Sequence, residues 1–382
     1  MRGGPSQAVL EMVSSLCQLG VDAEIATTND DGLHLLNVPL NQFFIYQGVY
    51  TRFFSRFSPN ITAIREFAFS ASFTRWLWFN IHNYDLVHIH AIFSYVPTVA
   101  MAIARIKKVP YIIRPLGQLC TWSLQQSAVR KQLYLKLIEK SNLDRSSFVH
   151  FTSCQEQNEA SDLKLIAQSV VIPHGLSVKP MIAYPRQQLR KKLNCPKDDP
   201  IIVFLSRLHP KKGLETLIAA LGKLQSYSFT FAIAGSGDQQ YEAAIRTLIS
   251  TQGLTNRTRF LGFVTGEQKD LLLQGSDLFV LTSHSENFGI VVLEAMAAGL
   301  PVLLTPGVAL SADVQRHCTG KVTPLDVDSI SQAIAQYLNH PDVAKSDGDR
   351  ARQFVLDNYT WDKVAANLIE VYQAILQQAP LP

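Results

Sequence analysis

A chain of 382 residues with 47% hydrophobic residues exceeds what one core usually organises and allows two. Its five cysteines are odd in number and show no Cys-x-x-Cys spacing, which argues against a disulfide framework or a zinc site. The formal charge of +4 is small, with 16 Lys+Arg against 12 Asp+Glu in residues 1–180 and 19 of each in residues 181–382, so nucleic acid is not an expected partner.

From the N-terminus, Arg2, Gly3, Gly4, Pro5 and Ser6 precede a helical run, Gln7 to Leu19. The glycine pair lets backbone approach a ligand closely. Tyr50–Asn80 then mixes Arg52, Arg56, Arg65 and Arg75 with ten aromatics, including Phe53, Phe54, Phe57, Trp76 and Trp78. Two readings stand for it: core of a first domain with a solvated arginine edge, or a peripheral contact for an anionic lipid surface or lipid-linked acceptor. Asp85–His90, Val109–Arg114, Val149–Ser153 and Val170–His174 are short β-rich runs, most of them separated by helical segments. That alternation predicts a parallel sheet covered on both faces. Polar residues end these strands, among them His90, Arg114, Glu156 and His174. Glu156 reads as a helix-capping or an acceptor-side group.

Pro180 and Pro185 mark a linker near Ser177–Pro185. Beyond it, Pro200–Leu205 reads as a buried strand, followed by Ser206, Arg207, Leu208, His209, Pro210, Lys211, Lys212 and Gly213. Arg207 and Lys212 thus emerge at the carboxyl end of a strand, where open α/β sheets bind ligands. A guanidinium and an ammonium converging there would neutralise a diphosphate. Phe229–Gly235 and Arg259–Val264 are further strands, the first running into the glycine turn Gly235–Asp238. Asp277–Thr282 is a strand, Ser283–Asn287 a loop, Gly289–Ala298 a helix and Pro301–Thr305 a strand. A helix start after a strand is an anion site, because its first amides lack partners. Glu286 and Glu294 bracket it. Carboxylates there repel a bare phosphate and suit sugar hydroxyls. The final run Trp361–Leu376 is amphipathic, with Val364, Leu368, Tyr372 and Ile375 on one face.

The segment DLFVLTSHSENFGIVVLEAMAAGLPVLLT, residues 277–305, resembles the retaining GT-B glycosyltransferases that carry a Glu-x7-Glu motif (the family 4-like, group 1 glycosyl transferases), with Glu286 and Glu294 as the two glutamates. The resemblance implies α/β architecture: two Rossmann-like doubly wound parallel-sheet domains facing a cleft. It divides the chain into residues 1–178 for the acceptor, 179–360 for the nucleotide sugar, and a last helix, 361–382, crossing back to the first domain. It also implies a strand ahead of the glycine pair, so a sheet lacking its first strand is expected of residues 1–178.

The same resemblance implies roles. Glu286, Arg207, Lys212 and His90 are the expected catalytic set. Glu294, Asn287, Phe288, Gly289, Gly3, Gly4, Gly235 and Gly262 are expected to hold the donor. The implied reaction moves a hexose from a nucleotide-diphosphate sugar to a hydroxyl of a glycan or lipid-linked acceptor, with retention and no metal or cofactor, in cell-surface polysaccharide or glycolipid synthesis. A non-catalytic nucleotide-sugar-binding or scaffold protein of the same fold is the alternative. An oxidoreductase would need a Gly-x-Gly-x-x-Gly turn, which is absent. No signal-peptide pattern is present, and the longest apolar stretch, Ala91–Ala104, is too short to span a bilayer. The expected location is cytoplasmic, with residues 50–80 as the segment that would touch the inner membrane face.

Overall fold

The computed structural model describes residues 3–32, 34–61, 65, 67–126 and 128–378. They form two compact units, residues 1–175 with 361–382 and residues 176–360.

The first unit contains β1 (Ile25–Thr28), β2 (Asp30–Asp31), β3 (His34–Leu35), β4 (Phe43–Tyr46), β5 (Val49–Phe54), β6 (Val87–His90), β7 (Tyr111–Arg114), β8 (Phe148–Phe151) and β9 (Gln168–Val171). β6-β7-β8-β9 is a parallel sheet, β1 runs parallel to β5, and β4 closes on β5 as a hairpin. The sequence reading found the four strands of the parallel sheet and missed β1 to β5. Among the described residues the three sheets of this unit, β1-β5-β4, the antiparallel pair β2-β3 and β6-β7-β8-β9, are separate. Arg2 and the strand expected ahead of Gly3 lie outside those residues. Gly3 and Gly4 are not in a ligand-facing loop as expected: they begin the helix Gly3–Gln18, so what this end offers an anion is first-turn amides.

Both faces of the four-stranded sheet are covered. Ile89, Ile113, Val149 and Phe151 share a core with Phe54, Phe73, Leu77 and Met101. The segment 50–80 is divided: Phe53, Phe54, Phe73 and Leu77 are buried in the core, while Tyr50, Phe57, Ile61, Phe69, Trp78 and Phe79 are exposed, so the core reading holds for the first group only. Phe53 and Phe54 are 1% exposed, and Arg56 is buried and ion-paired with Asp30. Arg52 lies over the rings of Phe43 and Trp76. The opposite face carries the helices Gly3–Gln18 and Trp361–Gln378, whose Met12, Leu16, Val364 and Leu368 form a second core with Val49 and Ile172.

That second face is polar where strands meet helices. Register pairs His90 with Arg114, which puts them on one side of the sheet. Arg114 is 1% exposed; its Nη2 donates to His174 Nδ1 at 2.8 Å and its Nε has no partner. Burial lowers Arg114 to about 10, so it stays a cation. Burial first, then the neighbouring Arg114, brings His88 down to about 3 and His174 well below its usual value. His90 and His150 are also held low, chiefly by burial. Neutral rings assign the protons. His150 Nε2 lies 2.7 Å from the Ile172 carbonyl and must donate. Its Nδ1 then accepts from His88 Nε2 at 3.3 Å, and His88 Nδ1 accepts from the Tyr372 hydroxyl at 2.7 Å. One directional chain thus ties the last helix to two strands.

The second unit is a six-stranded parallel sheet of β10 (Ile201–Leu205), β11 (Thr230–Ala234), β12 (Thr258–Gly262), β13 (Leu278–Leu281), β14 (Val302–Leu304) and β15 (Gly320–Val322). Its order is β12-β11-β10-β13-β14-β15. β10, β11, β13 and β14 are buried throughout, which explains their unbroken apolar runs. The chain winds outward from β10 in one direction and resumes at β13 in the other. Adjacent β10 and β13 thus form the topological switch point, and ligands of such sheets bind beyond the carboxyl ends of its strands.

Candidate functional site

The loops leaving β10 and β13 meet at this switch point. Lys212 ends a 3-10 turn, Pro210–Lys212, that His209 caps through its Nδ1. Gly213 follows with φ +62°, and a Cβ there would overlap the Thr282 carbonyl oxygen. Only glycine lets this loop lie against the end of β13. The Thr282 hydroxyl donates to the Gly213 carbonyl at 2.9 Å, and the His284 amide to the Lys211 carbonyl at 2.9 Å. The loop carrying Glu286 is held from its other side: the Glu286 amide donates to Gly307 at 2.7 Å, and the Ala309 amide to Glu286 at 3.1 Å. Two loops distant in sequence are thereby fixed to each other.

The result is an ion pair between Lys212 and Glu286, with side chains 10% and 21% exposed. Burial, then the charges of Lys211 and Arg207, bring the Lys212 ammonium down to about 8. The pairing with Glu286 acts in the opposite sense. Arg207 is exposed at the carboxyl end of β10. Three cations therefore gather where β10 ends. Gly289, with φ +80°, is the N-cap of the helix Ile290–Ala297, so the helix starts one residue later than the sequence suggested. Ser283, in the same loop as Glu286, has a buried hydroxyl without a partner.

Glu294 stands apart from that pair. It lies within the helix Ile290–Ala297 and is ion-paired with Lys269 at 2.6 Å. Lys269 belongs to the helix Gly266–Gly275 that follows β12. Sequence reasoning missed it, because a single lysine in an amphipathic helix carries no signal of its partner. The Phe288 side chain is 3% exposed and packs near Tyr359, at 6.3 Å between ring centroids, which leaves its backbone as the part facing the loop. Asn287 is half-buried beside it.

Of the two glycines at the neighbouring strand ends, Gly262 has φ +63° with open space where a Cβ would stand, and Gly235 has a packing reason. Gly235 has φ +134°, and a Cβ there would fall on the Ser206 carbonyl oxygen. Its amide donates to Gly262 at 2.7 Å, and the Leu208 amide donates to Ser236 at 2.9 Å. The ends of β10, β11 and β12 are thus laced together. Phe263, just past Gly262, is 76% exposed.

Of the first unit's candidates, His90 ends β6 with its ring 4.5 Å from that of His88. Its Nδ1 is buried with no partner. Glu156 is not an acceptor-side group: it is 1% exposed, and it accepts from the Gly117 amide and from the Thr152 amide and hydroxyl. Those bonds join the loop after β7 to the end of β8, a structural task.

Two family models match the chain. Glycosyl transferases group 1 covers residues 185–354, and the glycosyl transferase 4-like domain covers residues 3–175. An uncharacterized glycosyltransferase of Methanocaldococcus jannaschii is 27% identical over 307 residues, 78% of this chain and 77% of that protein. The GDP-mannose-dependent alpha-(1-6)-phosphatidylinositol monomannoside mannosyltransferase of Mycobacterium tuberculosis is 31% identical over 193 residues, about half of each chain (48% and 50%). Among solved structures, sucrose-phosphate synthase from Thermosynechococcus elongatus matches with a TM-score of 0.77 and 23% identity, over 99% of this chain and 94% of its own. Anabaena HepE in complex with UDP matches with a TM-score of 0.77 and 20% identity, over 98% of each chain.

Proposed function

The chain belongs to the group 1 glycosyl transferases and has their GT-B fold, and on that premise we propose that it transfers a hexose, with retention of anomeric configuration, from a nucleotide-diphosphate sugar to a hydroxyl of a glycan or lipid-linked acceptor. The observation that carries the reading is the grouping of Lys212, Lys211, Arg207 and Glu286 at the β10/β13 switch point. A diphosphate entering there takes the Lys212 ammonium away from Glu286. The freed carboxylate then accepts hydrogen bonds from hydroxyls of the sugar. One binding event thus exchanges an internal ion pair for two substrate contacts.

In this reading Lys212 and Arg207, with the first amides of the helix Ile290–Ala297, stabilise the charge that grows on the leaving diphosphate. That is the task a metal performs in other transferases, so turnover should be indifferent to chelators. Glu294 accepts from the ribose diol. Its present partner Lys269 orients it. Gly235, Gly262, Asn287 and the backbone of Phe288 and Gly289 shape the donor site. His90, neutral and with an open ring nitrogen, is suited to a sugar hydroxyl, and the amides at Gly3 and Gly4 to an anion. The role in polysaccharide or glycolipid synthesis, and a cytoplasmic location, are part of the same proposal.

Thermal shift with UDP, GDP, ADP and their sugar conjugates identifies the donor, because a ligand of the native state raises its melting temperature. Turnover is then followed with that donor, with and without EDTA, and the anomeric configuration of the product is read by NMR. No stabilisation by any conjugate, or an inverted product, would count against the proposal.

A further inference from the structure

The segment 121–143 presents a face that the fold leaves uncovered. It comprises the helices Thr121–Gln125 and Ala128–Tyr134, a π-turn over Leu135–Glu139 and a last turn, Lys140–Leu143. Its inner side is anchored. The Tyr134 hydroxyl lies 2.9 Å from Thr98 Oγ1, Leu135 is buried, and Glu139 accepts from the Phe93 amide at 3.3 Å. Its outer side is apolar. Val129, Leu133 and Leu137 follow each other at intervals of four and are 80%, 57% and 67% exposed, which makes one stripe along the helix. Ile138 and Trp122 are exposed nearby.

The frame of this stripe is basic. Arg130 and Lys136 are exposed, and Lys131 and Lys140 are half-buried. The one carboxylate between residues 121 and 143, Glu139, is fully buried. Residues 101–150 hold nine Lys+Arg against two Asp+Glu, so the basic excess of the N-terminal half concentrates here. Aliphatic side chains in a ring of cations complement a surface that is apolar below and anionic above. No described helix is long and apolar enough to cross a membrane, so the chemistry is that of a helix lying in the lipid interface.

We propose that the Val129–Leu133–Leu137 stripe, with Arg130 and Lys136, docks this protein onto an anionic lipid surface. The segment 50–80, which looked suited to that task in sequence, divides its aromatics, with Phe53, Phe54 and Phe73 buried and Tyr50, Phe57, Phe69, Trp78 and Phe79 exposed. The segment 121–143 exposes its aliphatics. The inference does not rest on the donor reading, because lipid binding is measured without turnover.

The test is co-sedimentation of the full chain with phosphatidylcholine vesicles, with and without phosphatidylglycerol. Binding is expected only with the anionic lipid and should weaken as salt rises. Leu133→Glu with Leu137→Glu should lower partitioning by more than about tenfold. Arg130→Ala and Lys136→Ala should each lower it by roughly fivefold. Val343→Glu, at an exposed position of the second unit, should change nothing. All these sites are exposed, so melting temperatures should not move. The proposal is overturned if the anionic vesicles leave the protein in the supernatant, if neutral vesicles bind it equally, or if the double glutamate variant binds like the parent. A dimer in light scattering that the same double variant dissolves, without vesicle binding, would assign the face to a second copy of the chain.

Discussion

In the second unit the charged side chains of the candidate site stand beyond strand ends, in loops or in the helices that follow, and two pairs join opposite charges: Lys212 with Glu286, Lys269 with Glu294. In the first unit Arg114 lies on a strand, beneath helices, and donates to the neutral ring of His174. The two units use the same parallel-sheet motif with opposite consequences. Paired charges at a partly exposed strand end can be exchanged for a ligand at modest cost. A buried cation and neutral rings cannot be altered without disturbing the packing. The difference separates residues whose loss should affect binding and rate from residues whose loss should affect stability.

The largest expected effect breaks the clamp. Arg207→Ala or Lys212→Ala should leave melting nearly unchanged and lower turnover by ~10²-fold or more, the scale of losing one preorganised electrostatic partner. Unchanged rates would move both residues out of the site.

Acid sharpens the contrast from the other side. His88, His90, His150 and His174 are held neutral in the folded first unit, so below about pH 6.5 the unfolded chain binds more protons than the folded one. Stability of that unit should fall as pH drops from about 6.5 toward 4. All four tryptophans, Trp76, Trp78, Trp122 and Trp361, belong to the first unit. Urea titrations followed by tryptophan fluorescence therefore report it selectively, and a midpoint independent of pH over this window would contradict the assignment. His174→Leu, which removes an acceptor from buried Arg114, should cost about 1–3 kcal/mol in the same measurement.

A smaller effect concerns the pH range of the second unit. Lys212 titrates near 8 in the free protein, and a bound diphosphate favours its charged form. Affinity for the nucleoside diphosphate should therefore decline as pH rises above about 8, by at most roughly tenfold per unit. Lys212→Arg keeps its charge and should flatten the profile. Calorimetry between pH 7 and 9.5 would show either outcome.

How much of this was legible beforehand follows the same division. Buried parallel strands such as Ile201–Leu205 and Leu278–Leu281 advertise themselves as apolar runs bounded by turns, and Arg207, Lys212, Glu286 and Glu294 stand at the ends of those runs. Their partners did not show. Glu286 meets Lys212, 74 residues away in sequence, only because β10 and β13 are neighbours. Strands β1 to β5 were missed because their residues are partly exposed and mixed with polar ones, and the aromatics of 50–80 gave no sign of which way they face. The glycines at 3 and 4 resembled a loop and proved to be a helix start, because the residues after them favour helix strongly enough to extend it backward.

The role assignment of the two glutamates carries the whole account, and one measurement tests it most directly: the affinities of Glu286→Ala and Glu294→Ala for the free nucleoside diphosphate and for its sugar conjugate. Glu294→Ala should weaken both ligands, each by roughly tenfold to a hundredfold, since a hydrogen bond to a charged group is worth about 1.5–3 kcal/mol. Glu286→Ala should weaken the conjugate alone. It should leave the free diphosphate as tight as before or tighter, because Lys212 no longer has to be drawn from its ion pair. If Glu286→Ala weakens the free diphosphate as much as Glu294→Ala does, the division of labour at the switch point is wrong.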